Sequence, residues 1–334
     1  RLLEIDPSDH RGLWRRGIAR QALGQLDAAV ADFRAAVKLN SSSADYQNAL
    51  GIALQARGES RAALDSFTAA IGIDSQHGPA RLNRALALIN VGAFETAMAD
   101  VAVAERALPG MAEPIAARAE ALLAKKDFEN ARASAVAAVK LKPDRAAFRE
   151  LNGRTLLALS LHSGAVAEFD EAIRLDSKLA AAYVGRAAVR HATGDIDKAI
   201  ADVDEAIRVQ PKSPLALAAR ARLNLQRRDL GAALKDLDAV LAAIPGETEA
   251  AFLKTRTLLF SHAEQMLTKG DEPGALADYD ALIRIDGSDA EALVKRAMLH
   301  ALKGNAAQAQ ADIEKAASAQ PQVAEMQLLR ADLL

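Results

Sequence analysis

The chain has 334 residues, with 42 basic and 44 acidic side chains interspersed to a net charge of −2, so it offers no basic stripe for nucleic acid. It has no cysteine, which removes disulfides, thiolate metal sites and cysteine nucleophiles. No run approaches the ~18 apolar residues of a membrane span, and no signal peptide opens the chain. Hydrophobic residues reach 51% while aromatics are only 4%. Alanine, the strongest helix former, dominates, and no β-branched alternation predicts a strand, so the fold class is all-α.

Taken in order, Arg1 to Asp9 reads as the tail of a unit, with Pro7 near its end. Units of 34 residues follow in phase at 10–43, 44–77, 78–111, 112–145, 146–179, 180–213 and 214–247. Each shows two apolar-periodic runs around a break. Ala187, Gly194, Ala199, Ala206 and Pro211 mark places eight, fifteen, twenty, twenty-seven and thirty-two of the unit at 180–213. This spacing resembles the tetratricopeptide repeat family. The resemblance implies a right-handed superhelical α-solenoid of helix hairpins, a single array, whose concave groove binds a protein or peptide segment.

The first helix of each unit should close at glycine (Gly24, Gly58, Gly92, Gly194, Gly270, Gly304), which takes the left-handed conformation without strain. Lys126, Ser160 and Arg228 stand there in three units, predicting strained turns. The second helix should end before Pro109, Pro143, Pro211, Pro245 or Pro321. Small residues at places eight and twenty let the helices cross closely, and Phe33, Phe67 and Phe169 at place twenty-four should fill the seam.

An irregular unit occupies 248–289, where Thr248 to Thr255 lengthen the first helix by about two turns. Phe252, Leu253, Leu259, Phe260, Met266 and Leu267 preserve a buried stripe, predicting a tolerated extension; a kink or a protruding ridge is the alternative. A regular unit at 290–323 and a partial one at 324–334 complete the chain. Both ends fall inside repeats, as expected of a piece of a longer array. Uncapped terminal faces would also support end-to-end self-association.

Arginine at place seven (Arg16, Arg84, Arg186, Arg220, Arg296) goes with aspartate at place twenty-three of the same unit (Asp32, Asp100, Asp202, Asp236, Asp312), while Arg118 with Ser134, Asn152 with Glu168 and His262 with Asp278 fall between. Where place seven is Leu50, place twenty-three is Ser66. The covariation within one chain predicts an ion pair inside each hairpin rather than a ladder of ligand-binding arginines.

In the family, ligands lie on the first helices at places two, five, six, nine, twelve and thirteen. Carried over, the resemblance implies a groove of Trp14, Ile18 and Gln21, then Asn48, Ile52 and Gln55, then Leu82, Leu86, Ile89 and Asn90. It continues through Glu120, Glu150, Arg154, His191, Arg222 and Gln226. Trp14 reads as an anchor or as a contact with a preceding unit. Two groove chemistries of the family are missing. No basic residue stands at place five for a carboxylate clamp on chaperone C-termini, and only Asn83 represents an asparagine ladder at place six.

The six histidines are scattered, with no HExxH, Walker loop, GxGxxG or GxSxG pattern, so no catalytic site, metal or cofactor is predicted. The reading is a protein-interaction scaffold. A spacer, or the regulatory arm of a larger protein, is the alternative. Its composition looks bacterial, and both cytosol and periplasm stay open.

Overall fold

The computed structural model describes residues 9–320 apart from 228, 245 and 247. Eighteen helices and no strand occur among them. The chain divides into two compact units between Asp195 and Ile196. The first contains α1 (His10–Ala22), α2 (Leu26–Leu39), α3 (Ala44–Ala56), α4 (Ser60–Ile73), α5 (Gly78–Asn90) and α6 (Phe94–Ala107). It continues with α7 (Ala112–Ala124), α8 (Phe128–Leu141), α9 (Ala146–Ala158), α10 (His162–Leu175) and α11 (Ala180–Ala192). The second contains α12 (Ile196–Val209), α13 (Pro214–Gln226), α14 (Leu230–Ala243), α15 (Thr248–Thr268), α16 (Glu272–Ile285), α17 (Ala290–Leu302) and α18 (Ala306–Ala319).

Within the first unit, each odd-numbered helix from α1 to α9 packs antiparallel on the next even-numbered one. The odd-numbered helices also pack on one another, α1 on α3 and so on to α9 on α11. The odd-numbered helices thus form a continuous layer. The local signals are those of the sequence. Asp9, Ser43 and His77 cap α1, α3 and α5 by accepting a backbone N–H. Turns at place fifteen are left-handed, with Gly24 at φ 74° and Gly58 at 88°. Lys126 and Ser160 are forced into the same region at φ 63° and 58°, the strain expected from their type. Arg228, Pro245, Pro321, the expected partial repeat at 324–334 and all but Asp9 of the one at 1–9 lie outside the described residues.

Phe33, Phe67 and Phe169 are wholly buried and fix which residues can oppose them. A Cβ on Gly51 would lie 2.5 Å from the Phe67 ring, and one on Gly17 2.6 Å from Phe33. The small residue at place eight therefore makes room for a ring as well as for a helix crossing.

Four of the five expected ion pairs are seen. Arg16 donates to Asp32 at 2.9 and 2.6 Å, Arg84 to Asp100 at 2.6 and 2.9 Å, Arg220 to Asp236 at 2.8 and 2.7 Å, and Arg296 to Asp312 at 2.7 and 2.6 Å. These aspartates are buried, and the fork geometry satisfies both of their oxygens. The arginines do more than the sequence indicated. A third N–H reaches back to place twenty-five of the preceding hairpin, from Arg220 to Asp204 at 2.8 Å and from Arg296 to Asp280 at 2.7 Å. Arg186 makes the same reach to Asp170, and Arg84 to Thr68. Arg84, Arg220 and Arg296 thus staple their own hairpin and its register on the one before. Ser66, as its apolar partner Leu50 requires, turns to its own helix and donates to the Ala62 carbonyl.

In the second unit α15 is one unbroken helix of 21 residues. Its added turns are bound to the preceding hairpin: Glu249 accepts from Arg222 at 2.6 Å, Lys254 meets Asp238 at 2.5 Å, and Leu253 packs on Leu217, Ala221 and Leu237. Phe260 is buried against Tyr279, with Leu259, Met266 and Leu267 around them. The extension is integral to the packing rather than a free ridge.

Candidate functional site

Five of the expected groove residues come together. Trp14, Ile18 and Gln21 on α1 face Asn48 and Ile52 on α3 across a solvent-open pocket of about 450 Å³, with Ala22, Asp45 and Ala49 completing its wall. Places five, nine and twelve are four and then three residues apart, so they share one helix face. Each helix gives that face to the pocket because its opposite side is occupied by the α2 and α4 seams. Ile18 is 44% exposed, a large aliphatic side chain left uncovered on the pocket wall.

Trp14 is a wall of this pocket rather than a protruding anchor. Its ring lies 5.7 Å from that of Tyr46, and it packs against the cluster of Leu13, Ala36 and Tyr46. Its indole nitrogen is buried with no acceptor among the described residues. Tyr46 is pinned in turn by a 2.8 Å hydrogen bond between its hydroxyl and His10 Nδ1. At the rim, Asp45 bonds His77 Nε2 at 3.0 Å, while His77 Nδ1 accepts from Ala80 N. The cap therefore fixes the tautomer that donates to Asp45. Asn83, the lone place-six asparagine, donates to the Asn48 amide oxygen at 2.9 Å, holding that side chain at the pocket edge.

The remaining residues form separate groups. Leu82, Leu86 and Ile89 are half-buried over Ala85, Ala97 and Val101, continuing an apolar strip along the same layer. Gln55 and Asn90 are exposed beside it. Glu120 on α7 and Glu150 on α9 are both drawn into the surface, with Arg154 3.9 Å from Glu150. Burial raises the Glu120 carboxyl above its usual range, and raises that of Glu150 to about 6, with Glu120 adding to the shift and Arg154 opposing it. His191 is exposed on α11. Arg222 and Gln226 belong to the second unit, where Arg222 is held by Glu249. Ala22, Asp45 and Ala49, beyond the residues expected above, line the pocket from places thirteen, two and six, themselves groove positions of the family. Tyr46 stands at place three, off the groove positions and outside the pocket lining, and bears on the site only through the ring it stacks on.

No helix among the described residues is long and apolar enough to cross a membrane. Three profiles of one family match along the chain: one described as TPR repeat at residues 21–58, and two described as tetratricopeptide repeat at 116–180 with 184–248, and at 290–323. The chain belongs to the tetratricopeptide repeat family. No curated protein sequence matches it. Among solved structures it is similar to a tetratricopeptide repeat protein from Parabacteroides merdae, with a TM-score of 0.62, 17% identity, and 75% of this chain and 98% of that one covered. It is also similar to a chain of the APC/C hetero-tetramer Cut9–Hcn1, with a TM-score of 0.62, 12% identity, and 96% and 75% covered. At these identities the likeness establishes the fold, an all-α solenoid of tetratricopeptide hairpins. Proteins of this family bind proteins or peptides, and the chain is a protein-interaction scaffold.

Proposed function

We propose that the first unit binds an extended segment of a partner protein along its layer of odd-numbered helices, with one apolar side chain seated between α1 and α3. The pocket carries this reading. Its ~450 Å³ lies within the usual range for ligand sites, and its walls are an indole and two isoleucines. The amides of Gln21 and Asn48 stand at its edge, where they can bond a peptide main chain. Beyond it, the half-buried Leu82, Leu86 and Ile89 extend the same apolar strip.

Trp14 is the sole tryptophan, so its fluorescence reports on this pocket alone. The test is selection on the whole chain from a random library of about fifteen residues, long enough to reach ~50 Å when extended. Selected peptides are then titrated by Trp14 emission against the parent and Ile18→Glu. Because Ile18 is already half in water, the variant should fold, which its melting curve checks. The proposal expects emission changes on binding and at least about tenfold weaker binding to Ile18→Glu, or ~1.4 kcal/mol. Equal affinity for both proteins would contradict it.

A further inference from the structure

We infer that the bound segment carries a lysine or arginine seated against Glu120 and Glu150, about seven to nine residues from the apolar residue in the α1–α3 pocket. This rests on the groove reading above and adds the chemistry of the occupant. Glu120 stands at place nine of α7 and Glu150 at place five of α9. Those are the places that Ile18 and Ile52, and Trp14 and Asn48, use to line the pocket. The two carboxylates therefore belong to the same face of the same helix layer, two to three hairpins further on.

The other acidic residues at groove places of the first unit are already paired. Asp45 is bonded to His77 and Glu113 to Lys142 at 2.5 Å. The acid pair is different. Glu120 has no hydrogen bond or ion pair among the described residues, and the single ion pair of Glu150 is the 3.9 Å approach of Arg154. Two carboxylates thus share one guanidinium in a site where the Glu150 side chain is only 12% exposed. A partly dehydrated surplus of negative charge gains more from an added cation than a solvated one does. Burial has already driven the Glu150 carboxyl upward, as a site short of positive charge requires.

The surroundings favour a basic side chain. Leu123 and Leu157 occupy place twelve of α7 and α9, the place of Gln21 in the pocket, and both are half-buried. Aliphatic surface beside a carboxylate accommodates the methylene stem of lysine or arginine while its head reaches the charge. The spacing follows from the helices. Packed helix axes lie about 8–10 Å apart, so three steps along the layer cover ~24–30 Å, and an extended chain rises ~3.3 Å per residue.

The test starts from library-selected peptides whose binding Ile18→Glu abolishes. Each position on either side of the apolar anchor is replaced in turn by lysine, glutamine and glutamate, with Trp14 emission giving the affinity. The expected result is a lysine preference over glutamine of at least about fivefold, confined to positions near seven to nine residues from the anchor, with glutamate weakest. The preference disappears in a Glu120→Gln, Glu150→Gln double variant whose circular dichroism matches the parent. Retained anchor binding with no lysine preference at any position overturns this inference and leaves the groove reading standing. A preference that survives the double variant also overturns it. If no selected peptide depends on Ile18, the groove reading fails, and this inference with it.

Discussion

The first and second units are built from the same hairpin, yet they dispose of their odd-helix faces differently. In the first, α1 to α11 stack in phase, and places five and nine carry an indole walling an open pocket, half-buried aliphatic side chains, and Glu120, a carboxylate with no ion pair among the described residues. In the second, the longer α15 breaks the period, and it meets its odd-numbered neighbours through ion pairs and a few apolar side chains, Leu253 beside Leu217 and Ala221 among them. There the exposed charges close on each other: Arg222 on Glu249, and Arg256 on Asp289 and Glu291 at 2.6 and 3.0 Å. The Arg256 guanidinium also lies 4.6 Å from the centre of the Phe260 ring. On the groove reading proposed above, a partner is held where groove positions lack partners within the chain, and in-phase stacking is what leaves them so.

The comparison can be broken first at what the units share, the buried ion pairs. Asp100 accepts from Arg84 and from Arg81, the latter at 2.6 Å, and is fully buried. Asp100→Ala strands two guanidinium groups and should cost about 3–5 kcal/mol, whereas Ser66→Ala, which removes only a bond to its own helix, should cost under about 1 kcal/mol. Asp312→Ala should behave like Asp100→Ala in the second unit. Urea unfolding of the three variants checks this, and equal small losses would refute the buried pair. Next comes Gly51→Ala, whose new methyl meets Phe67 at 2.5 Å and should cost about 1–3 kcal/mol. Gly58→Ala, at φ 88° with open space around it, loses stability through backbone strain alone.

The third effect separates the faces by pH. Glu150 has a folded pKa of about 6 against an ordinary 4.5, so its ionisation opposes folding. Below the ordinary value it costs nothing; as pH rises from 4.5 through about 6 the penalty grows to at most ~2 kcal/mol. Glu150→Gln should therefore raise the melting temperature at neutral pH and leave it unchanged near pH 4. Equal shifts at both would contradict the burial of this carboxyl. The smallest effect is at Tyr279, which occupies the seam place that holds phenylalanine in three other hairpins and buries its hydroxyl without a partner. Tyr279→Phe should be neutral or gain about 1 kcal/mol, measured by thermal melting.

Most of the fold was legible because each hairpin repeats one local code: glycine closing the first helix, small residues opposite the aromatic seam, and arginine matched to aspartate. The reach of Arg220 to Asp204 was not legible, because pairing was sought only at place twenty-three, whereas the stacked hairpin offers place twenty-five. Trp14, Ile18, Gln21, Asn48 and Ile52 were expected from the groove places of the family they resemble, and a helix brings i, i+4 and i+7 to one face. The part played by Tyr46 was not legible, because it acts through the Trp14 ring, and neither was the His77 bond that holds Asp45. The tethering of Arg222 depends on the added turns of α15, whose direction the sequence did not reveal.

The measurement that bears most directly on the account is amide hydrogen exchange along residues 1–334, with and without a library-selected peptide. The account predicts slowed exchange in α1 and α3, extending through α5 towards α7 and α9, with the second unit unchanged. Protection confined to the even-numbered helices, or appearing first in α13 to α18, would contradict it.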